Sequence, residues 1–303
     1  MCGIAGIMHA GKTDVIRQMT DAMIHRGPDD SGYYHDEDIS LGQRRLSIID
    51  LESGRQPISN EDDTLQLVCN GEIYNSPELR KDLLARGHRF KTHTDVEVIL
   101  HLYEEYGRDC VKHLQGMFAF AIWDKPRRRL FMARDHLGQK PLFFCRRNGA
   151  FAFASEVKSL LAANIMEREI DLEGVWHYIS LRFMPDEYSM FKGIHKLPAA
   201  TSLTYENGDL TRSQYWNIDF RDKLSSSEDE IESQLNDLLL DTVNSHLLSD
   251  VRVGAFLSGG IDSGTIASMM STLSDEPIPT FSLGTKEKDF NELPYSRMVA
   301  EKY

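Results

Sequence analysis

Short apolar segments with strand character recur through the first half of the chain. The segments 65–70, 117–123, 129–133 and 150–154 combine aliphatic and aromatic residues and are bounded by polar turns. This composition favours β-strands. Several strands of this kind, separated by short connections, predict a domain of stacked β-sheets.

Three helices are predicted among these strands. Over 13–25, apolar residues recur at the spacing of an amphipathic helix. Ser76 is a capping residue followed directly by a proline, which is a typical helix start. Thr94 and Glu97 have the spacing of a capping box immediately ahead of an apolar face, and this predicts the third helix.

A polar segment, 222–230, separates this region from a second pattern, in which helix and strand alternate. The predicted elements are a helix over 231–243, a strand over 251–257, a helix over 265–273, a strand over 278–283 and a helix from 295. This alternation predicts the start of a doubly wound parallel α/β domain. Because two parallel strands leave sheet edges uncovered, we expect domains over 1–220 and 221–303, the second continuing beyond residue 303.

The charge of the chain narrows its classes of partner. Among 303 residues, 47 Asp and Glu outnumber 34 Lys and Arg, giving a formal net charge of −13. This excess disfavours nucleic acid or an anionic membrane as the main partner, and the basic cluster 125–129 is interpreted as a solvated hairpin turn. With no apolar run of about 18 residues and no signal peptide, we expect a cytoplasmic protein.

Cys2 directly follows the initiator methionine. A small second residue favours removal of Met1, which would leave Cys2 with a free α-amine beside its thiol, a base and a nucleophile in one residue. The alternative is an apolar residue at the start of a strand over 4–8. The four cysteines, Cys2, Cys69, Cys110 and Cys145, are widely spaced with no CxxC pair, so they indicate neither a disulfide framework nor a zinc site.

The loop Ser258-Gly-Gly-Ile-Asp-Ser263 lies between a predicted strand and a predicted helix. Two glycines let the backbone wrap an anion, serine hydroxyls can donate hydrogen bonds, and a helix N-terminus supplies partial positive charge. The pattern therefore predicts a phosphate site rather than an ordinary turn, although it lacks the Lys-Ser/Thr pair of a Walker A loop. Asp262 is expected to be a Mg²⁺ ligand, since a carboxylate would repel phosphate.

A series of short motifs follows one order along the chain. They are MCGIAGIM at the N-terminus, HRGPD at 25–29, RLSIID at 45–50, NGEIYN at 70–75, TDVEV at 94–98, GMFAF at 116–120 and ARDHLGQKPL at 133–142. Together with SGGIDS, they make the whole chain resemble the glutamine-hydrolysing asparagine synthetases. The resemblance implies an N-terminal nucleophile glutaminase domain, a four-layer αββα sandwich, followed by an ATP-pyrophosphatase-type synthetase domain.

The resemblance implies a role for each candidate residue of the glutaminase half. Cys2 supplies the thiolate, and its α-amine, with an ordinary pKa of about 7.7 to 8.0, moves the proton. The side chain of Asn70 and the backbone N–H of Gly71 form the oxyanion hole. The remaining contacts with glutamine are Arg45 for the α-carboxylate, and Asp95 with the Glu72 backbone for the α-ammonium.

Other residues of these motifs are expected to be structural. The HRGPD segment at 25–29 is interpreted as a loop near the catalytic strand. Arg134 and Asp135 are expected to form a buried pair. Gln43 stands where many family members have a different residue, and we expect it to have little effect.

In the second half, the resemblance places Leu257 and Leu283 at the adenosine, and Ser258, Gly259, Gly260 and Ser263 at the pyrophosphate. It implies that ATP, as its Mg²⁺ complex, activates an aspartate carboxylate as the adenylate. Ammonia from glutamine then attacks after passing through an internal channel. We expect no tightly bound organic cofactor, and a homodimer.

Two other functions are compatible with the same residues. The first is a related ATP-dependent amidotransferase acting on another carboxylate, such as a sugar acid or a peptide, because the acceptor-binding residues lie beyond residue 303. The second, of a different class, is a non-catalytic glutamine-sensing or assembly module. Against it stands the complete set Cys2, Arg45, Asn70 and Asp95, which such a module has no reason to keep.

Overall fold

The computed structural model describes residues 1–8, 13–287 and 291–303. It divides into two compact units, Met1–Asp219 and Phe220–Tyr303. The strands are β1 Gly3–Met8, β2 Asp30–His35, β3 Ile39–Arg45, β4 Ile58–Ser59, β5 Leu65–Ile73, β6 Gly116–Asp124, β7 Arg129–Arg134, β8 Phe143–Arg147, β9 Ala150–Ala154, β10 Ile194–Lys196, β11 Thr201–Glu206, β12 Asp209–Gln214, β13 Ala255–Phe256 and β14 Thr280–Phe281. The helices are α1 Thr13–Asp21, α2 Ser76–Ala85, α3 Val98–Tyr106, α4 Val157–Ala162, α5 Leu172–Leu181, α6 Glu228–His246, α7 Ile261–Leu273 and α8 Leu293–Lys302.

The first unit is built on two six-stranded antiparallel sheets. The first sheet has the strand order β10-β8-β9-β1-β3-β2, and the second has the order β12-β11-β7-β6-β5-β4. All four apolar segments that predicted strands lie within β5, β6, β7 and β9. The basic cluster 125–129 connects β6 to β7 as the tight hairpin turn that its sequence predicts.

Alternation along the strands divides the apolar side chains of the first unit among three layers of core. Ile4 of β1 and Val68 of β5 lie in the core between the two sheets. Ala5, the next residue of β1, belongs to the core that the first sheet shares with α1 and α4. Cys69, the next residue of β5, belongs to the core that the second sheet shares with α2 and α3. The first unit is therefore the four-layer αββα sandwich that the resemblance implies.

Two predicted helices of the first unit differ from their sequence signals. α1 ends at Asp21 rather than at residue 25. Just before this end, the hydroxyl of Thr20 donates to the carbonyl oxygens of Ile16 and Arg17, and it competes there with the hydrogen bonds of the helix backbone. The capping box at Thr94 is wrong, because the Glu97 carboxylate accepts the N–H groups of residues 91 and 92 instead. A 3₁₀ turn over 95–97 precedes α3.

The expected pairing of Arg134 with Asp135 is also wrong. Both side chains are buried, but each binds backbone groups instead of the other. The Arg134 guanidinium donates to the carbonyl oxygens of Lys140 and Leu197, both at 2.7 Å. The Asp135 carboxylate accepts the N–H groups of Phe118 at 3.2 Å and Lys140 at 2.9 Å. The two side chains thus fix the 135–140 turn against β6, which is a structural role of another kind.

The second unit contains a parallel β-strand pair and three helices. α6 begins with a complete capping box between Ser227 and Glu230, and β13 pairs in parallel with β14, as the predicted α/β pattern requires. Both strands are shorter than predicted, because Pro277 and Pro279 have no N–H group for a ladder. α7 begins at Ile261 rather than at 265, since extended Gly260 takes its N-cap position.

The length and apolar character of the helices determine whether any of them could cross a membrane. Within the described ranges, the helices lack the combination of length and apolar character that crossing a bilayer requires.

Candidate active site

The side chains of the predicted glutaminase site converge at one end of the gap between the two sheets. Ile39 and Leu41 of β3 point into this gap, and two-residue alternation directs Arg45, the last residue of β3, the same way. Cys2 continues the alternation of Ile4 in β1, and Asn70 continues that of Val68 in β5. Strand periodicity therefore brings residues that are far apart in sequence to one place.

A single pocket contains every predicted glutamine-binding and catalytic residue of the first unit. The residues that line it are Met1, Cys2, Arg45, Leu46, Ile48, Ile49, Gly54, Gln56, Asn70, Gly71, Glu72, Thr94, Asp95, Val96 and Lys140.

The Cys2 thiol is held against the backbone that follows β3. The Leu46 N–H group donates to Sγ at 3.5 Å, and the thiol lies 3.7 Å from the Leu46 carbonyl oxygen. Burial raises the pKa of the Cys2 thiol, while the Leu46 hydrogen bond and the positive charge of Arg45 act in the opposite direction. The thiol is therefore protonated near neutral pH, and nucleophilic attack requires a nearby base.

The segment 25–29 supports the catalytic strand, as the sequence predicts. Arg26 donates from Nε to the carbonyl oxygen of Cys2 at 2.9 Å and forms an ion pair with Glu156 at 3.0 Å. Gly27 allows close approach, because a Cβ there would lie 2.4 Å from the backbone carbon of Arg44. These contacts fix the backbone of Cys2 without entering the pocket.

Asn70 carries an unsatisfied donor. Its side chain is buried, and among the described residues its Nδ2 atom has no hydrogen-bond partner. Leaving such a donor unpaired in a protein interior costs about 1–3 kcal/mol. An anionic oxygen bound in the pocket beside Cys2 would satisfy it.

The N–H group of Gly71 is directed to the same pocket by the alternation of β5. The N–H of Cys69 is accepted by the Gln56 side chain, and the N–H of Ile73 by the Asp95 carboxylate, each at 2.6 Å. N–H groups of alternate strand residues point to the same edge. Gly71 lies between these two residues and lines the pocket, so its N–H is a second donor beside Asn70.

Two glutamine side chains hold the backbone directly before Asn70. Gln56 accepts the N–H of Cys69 at 2.6 Å, and Gln43 donates to the Cys69 carbonyl oxygen at 3.1 Å. Both side chains are buried, and they replace a neighbouring strand where β4 has ended. Gln43 therefore helps to position the backbone directly before Asn70, whereas the sequence predicts that this residue has little effect.

Replacing Gln56 by leucine is expected to lower kcat for glutamine hydrolysis roughly tenfold and to destabilise the fold by about 1–3 kcal/mol, since the buried Cys69 N–H loses its acceptor. The KM for glutamine should change little, because the substrate contacts remain. Steady-state kinetics and denaturant unfolding would measure both effects. The exposed Gln18→Leu variant is the matched control, and an unchanged kcat in Gln56→Leu would contradict the positioning role.

The guanidinium of Arg45 is buried, and backbone carbonyl groups hold it through one of its nitrogen atoms. Its Nη2 atom donates to the carbonyl oxygens of Ile49 at 3.1 Å and Asp50 at 2.5 Å. Gly54 leaves the room this requires, since a Cβ there would lie 2.5 Å from Nη2. A guanidinium held this way at the pocket wall can bind a carboxylate through two parallel hydrogen bonds.

Asp95 also lines the pocket, and it lies in the 3₁₀ turn before α3. Its Oδ2 accepts the Ile73 N–H, and its Oδ1 accepts the Thr94 hydroxyl at 3.2 Å. Burial, with the negative charge of Glu72, raises the pKa of Asp95 to about 6 despite these hydrogen bonds. An ammonium group binding here would stabilise the ionised form.

Glutamine use is expected to decline in acid through Asp95. Since the carboxyl has a pKa of about 6, it is neutral below that pH and cannot pair with an ammonium, so kcat/KM should fall roughly tenfold per pH unit below about pH 6. A kcat/KM profile for glutamine between pH 5 and 8 measures this. Asp95→Asn should have low kcat/KM with no inflection near pH 6, and an inflection that persists in it would contradict the assignment.

The loop after β13 places the predicted nucleotide residues together in the second unit. The Ser258 and Ser263 hydroxyls are 2.8 Å apart, and Gly260 N–H donates to the Ser258 hydroxyl at 3.1 Å. The N–H of Gly259 already binds an anionic oxygen, that of the Glu292 carboxylate, at 3.2 Å. The loop thus brings two hydroxyls and two backbone N–H groups together at the N-terminus of α7, and a phosphate there would take the place of these internal acceptors.

Of the other three predicted nucleotide residues, Leu257 directly precedes this loop, Asp262 lies within it, and Leu283 follows β14. Leu257 is buried at the end of β13, whereas Leu283, just after β14, is exposed. Asp262 lies exposed in the first turn of α7. Among the described residues, Asp262 belongs to no cluster of three metal-ligating side chains, so a cation there would also need oxygen ligands from a phosphate.

Models of known protein families match both parts of the chain. The family model of the glutamine amidotransferase domain matches residues 1–216. The chain belongs to the glutamine amidotransferase family. The model of the asparagine synthase family matches residues 234–303. The resemblance that the sequence motifs indicated is confirmed.

Two relatives of the chain are curated proteins of Bacillus subtilis. Asparagine synthetase (glutamine-hydrolyzing) 1 is 40% identical over 308 residues, which cover 99% of this chain and 48% of the relative. Asparagine synthetase (glutamine-hydrolyzing) 3 is 38% identical over 301 residues, which cover 95% and 49%. The chain thus spans about half the length of the curated relatives it matches.

A solved structure shares the fold of the chain. Glutamine phosphoribosylpyrophosphate amidotransferase from B. subtilis, complexed with ADP and GMP, superposes with a TM-score of 0.54 over 95% of this chain and 68% of that chain, at 16% sequence identity. At this identity the likeness concerns the fold, and it agrees with the αββα sandwich.

Several residues of the amidotransferase pocket were not singled out from the sequence. Lys140 is buried and lines the pocket; it belongs to the ARDHLGQKPL motif, which carried a signal for it. Gln56 and Leu46 also line the pocket, but only the folded chain shows that they meet Cys69 and Cys2. Thr94, which the sequence marked only as a helix cap, lies there beside Asp95.

Proposed function

We propose that the first unit hydrolyses glutamine at Cys2, and that residues 1–220 form the glutaminase domain of a glutamine-dependent asparagine synthetase. The observation that carries this proposal is the buried, unpaired Nδ2 of Asn70 beside Cys2 in one pocket. A guanidinium and a carboxylate on the walls of the same pocket suit the two ends of an amino acid.

The base in this reaction is the α-amine of Cys2 after removal of Met1. While Met1 is attached, the Cys2 nitrogen belongs to an amide and has no basic lone pair. Burial lowers the pKa of the Met1 α-amine, so an α-amine in this pocket holds its proton less tightly than in water. A free Cys2 amine there is suited to accept the thiol proton.

Hydrolysis then proceeds in two steps. The amine takes the thiol proton, Sγ attacks the side-chain amide carbon of glutamine, and the proton passes to the leaving ammonia as the C–N bond breaks, leaving a thioester. Water attacks the thioester with the same amine as base, and glutamate leaves. Asn70 Nδ2 and Gly71 N–H stabilise the oxyanion in both steps.

The ends of the glutamine molecule are held by charge complementarity. Arg45 binds the α-carboxylate, and Asp95 with the Glu72 backbone binds the α-ammonium. This clamp places the side-chain amide at Cys2 and accounts for selection of a free amino acid.

Residues 221–303 are proposed to be part of a synthetase domain, and the second unit is proposed to bind ATP as its Mg²⁺ complex. Ser258, Gly259, Gly260 and Ser263 contact the pyrophosphate, Leu257 and Leu283 the adenosine, and Asp262 the Mg²⁺ of the substrate. ATP activates the aspartate side chain as an adenylate, and ammonia displaces AMP to give asparagine. The protein acts in the cytoplasm as a homodimer.

Intact mass and glutamine-dependent ammonia release test the first half of the proposal. A mass lacking Met1, together with ammonia release, supports Cys2 as the N-terminal nucleophile. Retention of Met1 in an active protein would contradict the base assignment. A folded protein without Met1 that binds but does not hydrolyse glutamine would instead favour a sensing module.

The acceptor is tested by supplying glutamine, Mg-ATP and aspartate, and following AMP, pyrophosphate and asparagine. Asparagine formation in proportion to AMP supports the synthetase. Amidation of a sugar acid or peptide in place of aspartate would assign the chain to a related amidotransferase.

A further inference from the structure

Two histidines and two glutamates from three segments of the first unit meet beside α3. Glu61 lies in the β4–β5 connection, His88 follows α2, and His101 and Glu104 lie one turn apart on α3. One candidate ligand atom from each of the four lies within 4.8 Å of every other. None of the four belongs to the glutamine pocket.

The separations among these atoms suit one small cation. His88 Nδ1 lies 3.4 Å from a Glu61 oxygen and 3.5 Å from Glu104 Oε2. His101 Nδ1 lies 3.5 Å from Glu61 Oε2 and 2.9 Å from Glu104 Oε2. Ligands about 2.0–2.1 Å from a tetrahedral Zn²⁺ stand roughly 3.4 Å apart, so small shifts would complete a two-nitrogen, two-oxygen site.

The outer atoms of the two histidines face carboxylates. His88 Nε2 lies 3.1 Å from Glu105 Oε1, and His101 Nε2 lies 3.7 Å from Glu97 Oε1. A carboxylate hydrogen-bonded to the outer nitrogen is the usual support of a metal-binding histidine, because it fixes the tautomer that leaves the other nitrogen free for the ion. His88 has this support from Glu105, whereas among the described residues His101 Nε2 is buried without a hydrogen-bond partner.

Each glutamate also accepts a hydrogen bond from outside the four residues, Glu61 on Oε1, the oxygen nearest His88, and Glu104 on the oxygen turned away from the histidines. Asn60 Nδ2 donates to Glu104 Oε1 at 2.8 Å, and the Arg89 N–H donates to Glu61 Oε1 at 2.9 Å. Among the described residues, Glu61 Oε2 is buried and has no hydrogen-bond partner. It is directed at His101, and a cation at the centre of the cluster would satisfy it.

The local charge also favours a cation. Four carboxylates, those of Glu61, Glu97, Glu104 and Glu105, surround the two imidazole rings. Among the described residues, Glu105 alone of the four is paired with an arginine, Arg86, at 3.1 Å. A divalent ion at the centre of the cluster would supply positive charge to these carboxylates.

We propose that Glu61, His88, His101 and Glu104 bind one divalent transition-metal ion of the Zn²⁺ class. The donor set of two imidazoles and two carboxylates suits Zn²⁺, and its closed coordination indicates a structural ion rather than a catalytic one. The ion ties the β4–β5 connection and the segment after α2 to α3.

The position of the site links it to the glutamine pocket. Glu97, which faces His101, also accepts the N–H groups of Lys91 and Thr92, and it stands two residues after Asp95. Fixing this turn by a metal ion would hold the Asp95 carboxylate in place without contact between the ion and the substrate.

Metal titration of the full chain tests the site. Chelator-treated protein is titrated with Zn²⁺ against a chromophoric chelator, and with Co²⁺ while the visible spectrum is recorded. We expect one ion per chain, the intense d–d absorption of tetrahedral Co²⁺, and, at Zn²⁺ about 100 times Kd, a rise of roughly 5–10 °C in the unfolding midpoint.

Variants separate this site from other metal-binding groups. His88→Gln should weaken Zn²⁺ binding by about 100-fold or more, and Glu105→Gln by about 10–100-fold, while exposed His195→Gln should bind normally. Cys2→Ala should also retain the ion, which keeps the result independent of the proposed glutaminase chemistry. Absence of binding, or binding that survives His88→Gln and is lost in Cys2→Ala, would overturn the proposal and leave the cluster held by protons alone.

Discussion

Replacing Cys2 by alanine is expected to lower the rate of glutamine hydrolysis by at least about 10⁴-fold, because no other group in the pocket can form the thioester. The Asn70 donors, Arg45 and Asp95 remain, so glutamine should still bind with an affinity within a few-fold of the parent protein. Ammonia release measures the rate, and calorimetric titration with glutamine measures the binding.

The matched control is Cys145→Ala, which removes a buried thiol on β8 outside the pocket. It should lose some stability through the cavity it creates, but retain hydrolysis. Equal circular dichroism spectra would exclude unfolding of Cys2→Ala. Normal turnover in that variant would remove Cys2 from the mechanism, and a dead Cys145→Ala with native structure would show that thiol loss alone is not diagnostic.

The sandwich could be predicted because its signals are local and repeated. The segments of β5, β6, β7 and β9 are short, apolar and separated by turns, and each pattern survives folding because both faces of both sheets are covered. The capping-box and ion-pair predictions that failed involve side chains whose hydrogen-bond partners lie outside their own helix or strand. Glu97 binds the backbone of residues 91 and 92 rather than capping α3, and no spacing rule contains that choice.

The candidate site was predictable to the extent that its residues belong to motifs. Cys2, Arg45, Asn70 and Asp95 follow from the resemblance, and the structure supplies their common pocket. Gln56 was not predictable, because its contact with Cys69 joins a loop to an open strand edge. The cluster around His101 was missed for the same reason, since its ligands come from three segments without a sequence motif.

The pocket also shows why a functional site lowers stability. Asp95 is ionised at neutral pH in a place that raises its pKa to about 6, and an ionised group whose folded pKa is raised opposes folding above its unfolded pKa. Asn70 keeps a buried donor unpaired. Both costs fall when substrate brings an ammonium and a developing oxyanion, so glutamine analogues should stabilise the fold.

Replacing Asn70 by alanine is expected to lower kcat by about 10² to 10³-fold with little change in KM, because its Nδ2 donates to charge that develops only in the transition state. Asn70→Asp keeps the shape but replaces the donor by an acceptor, so its kcat should fall at least as far. Steady-state ammonia release over a range of glutamine concentrations measures both constants.

The stability of these variants separates an oxyanion role from a packing role. Asn70→Ala removes the unpaired donor, so its free energy of unfolding should fall by less than an ordinary buried truncation costs, about 2–5 kcal/mol for an aliphatic side chain. Exposed Asn217→Ala should leave both activity and stability unchanged. A raised KM with an unchanged kcat in Asn70→Ala would instead make Asn70 a ground-state contact, leaving Gly71 N–H as the remaining donor to the oxyanion.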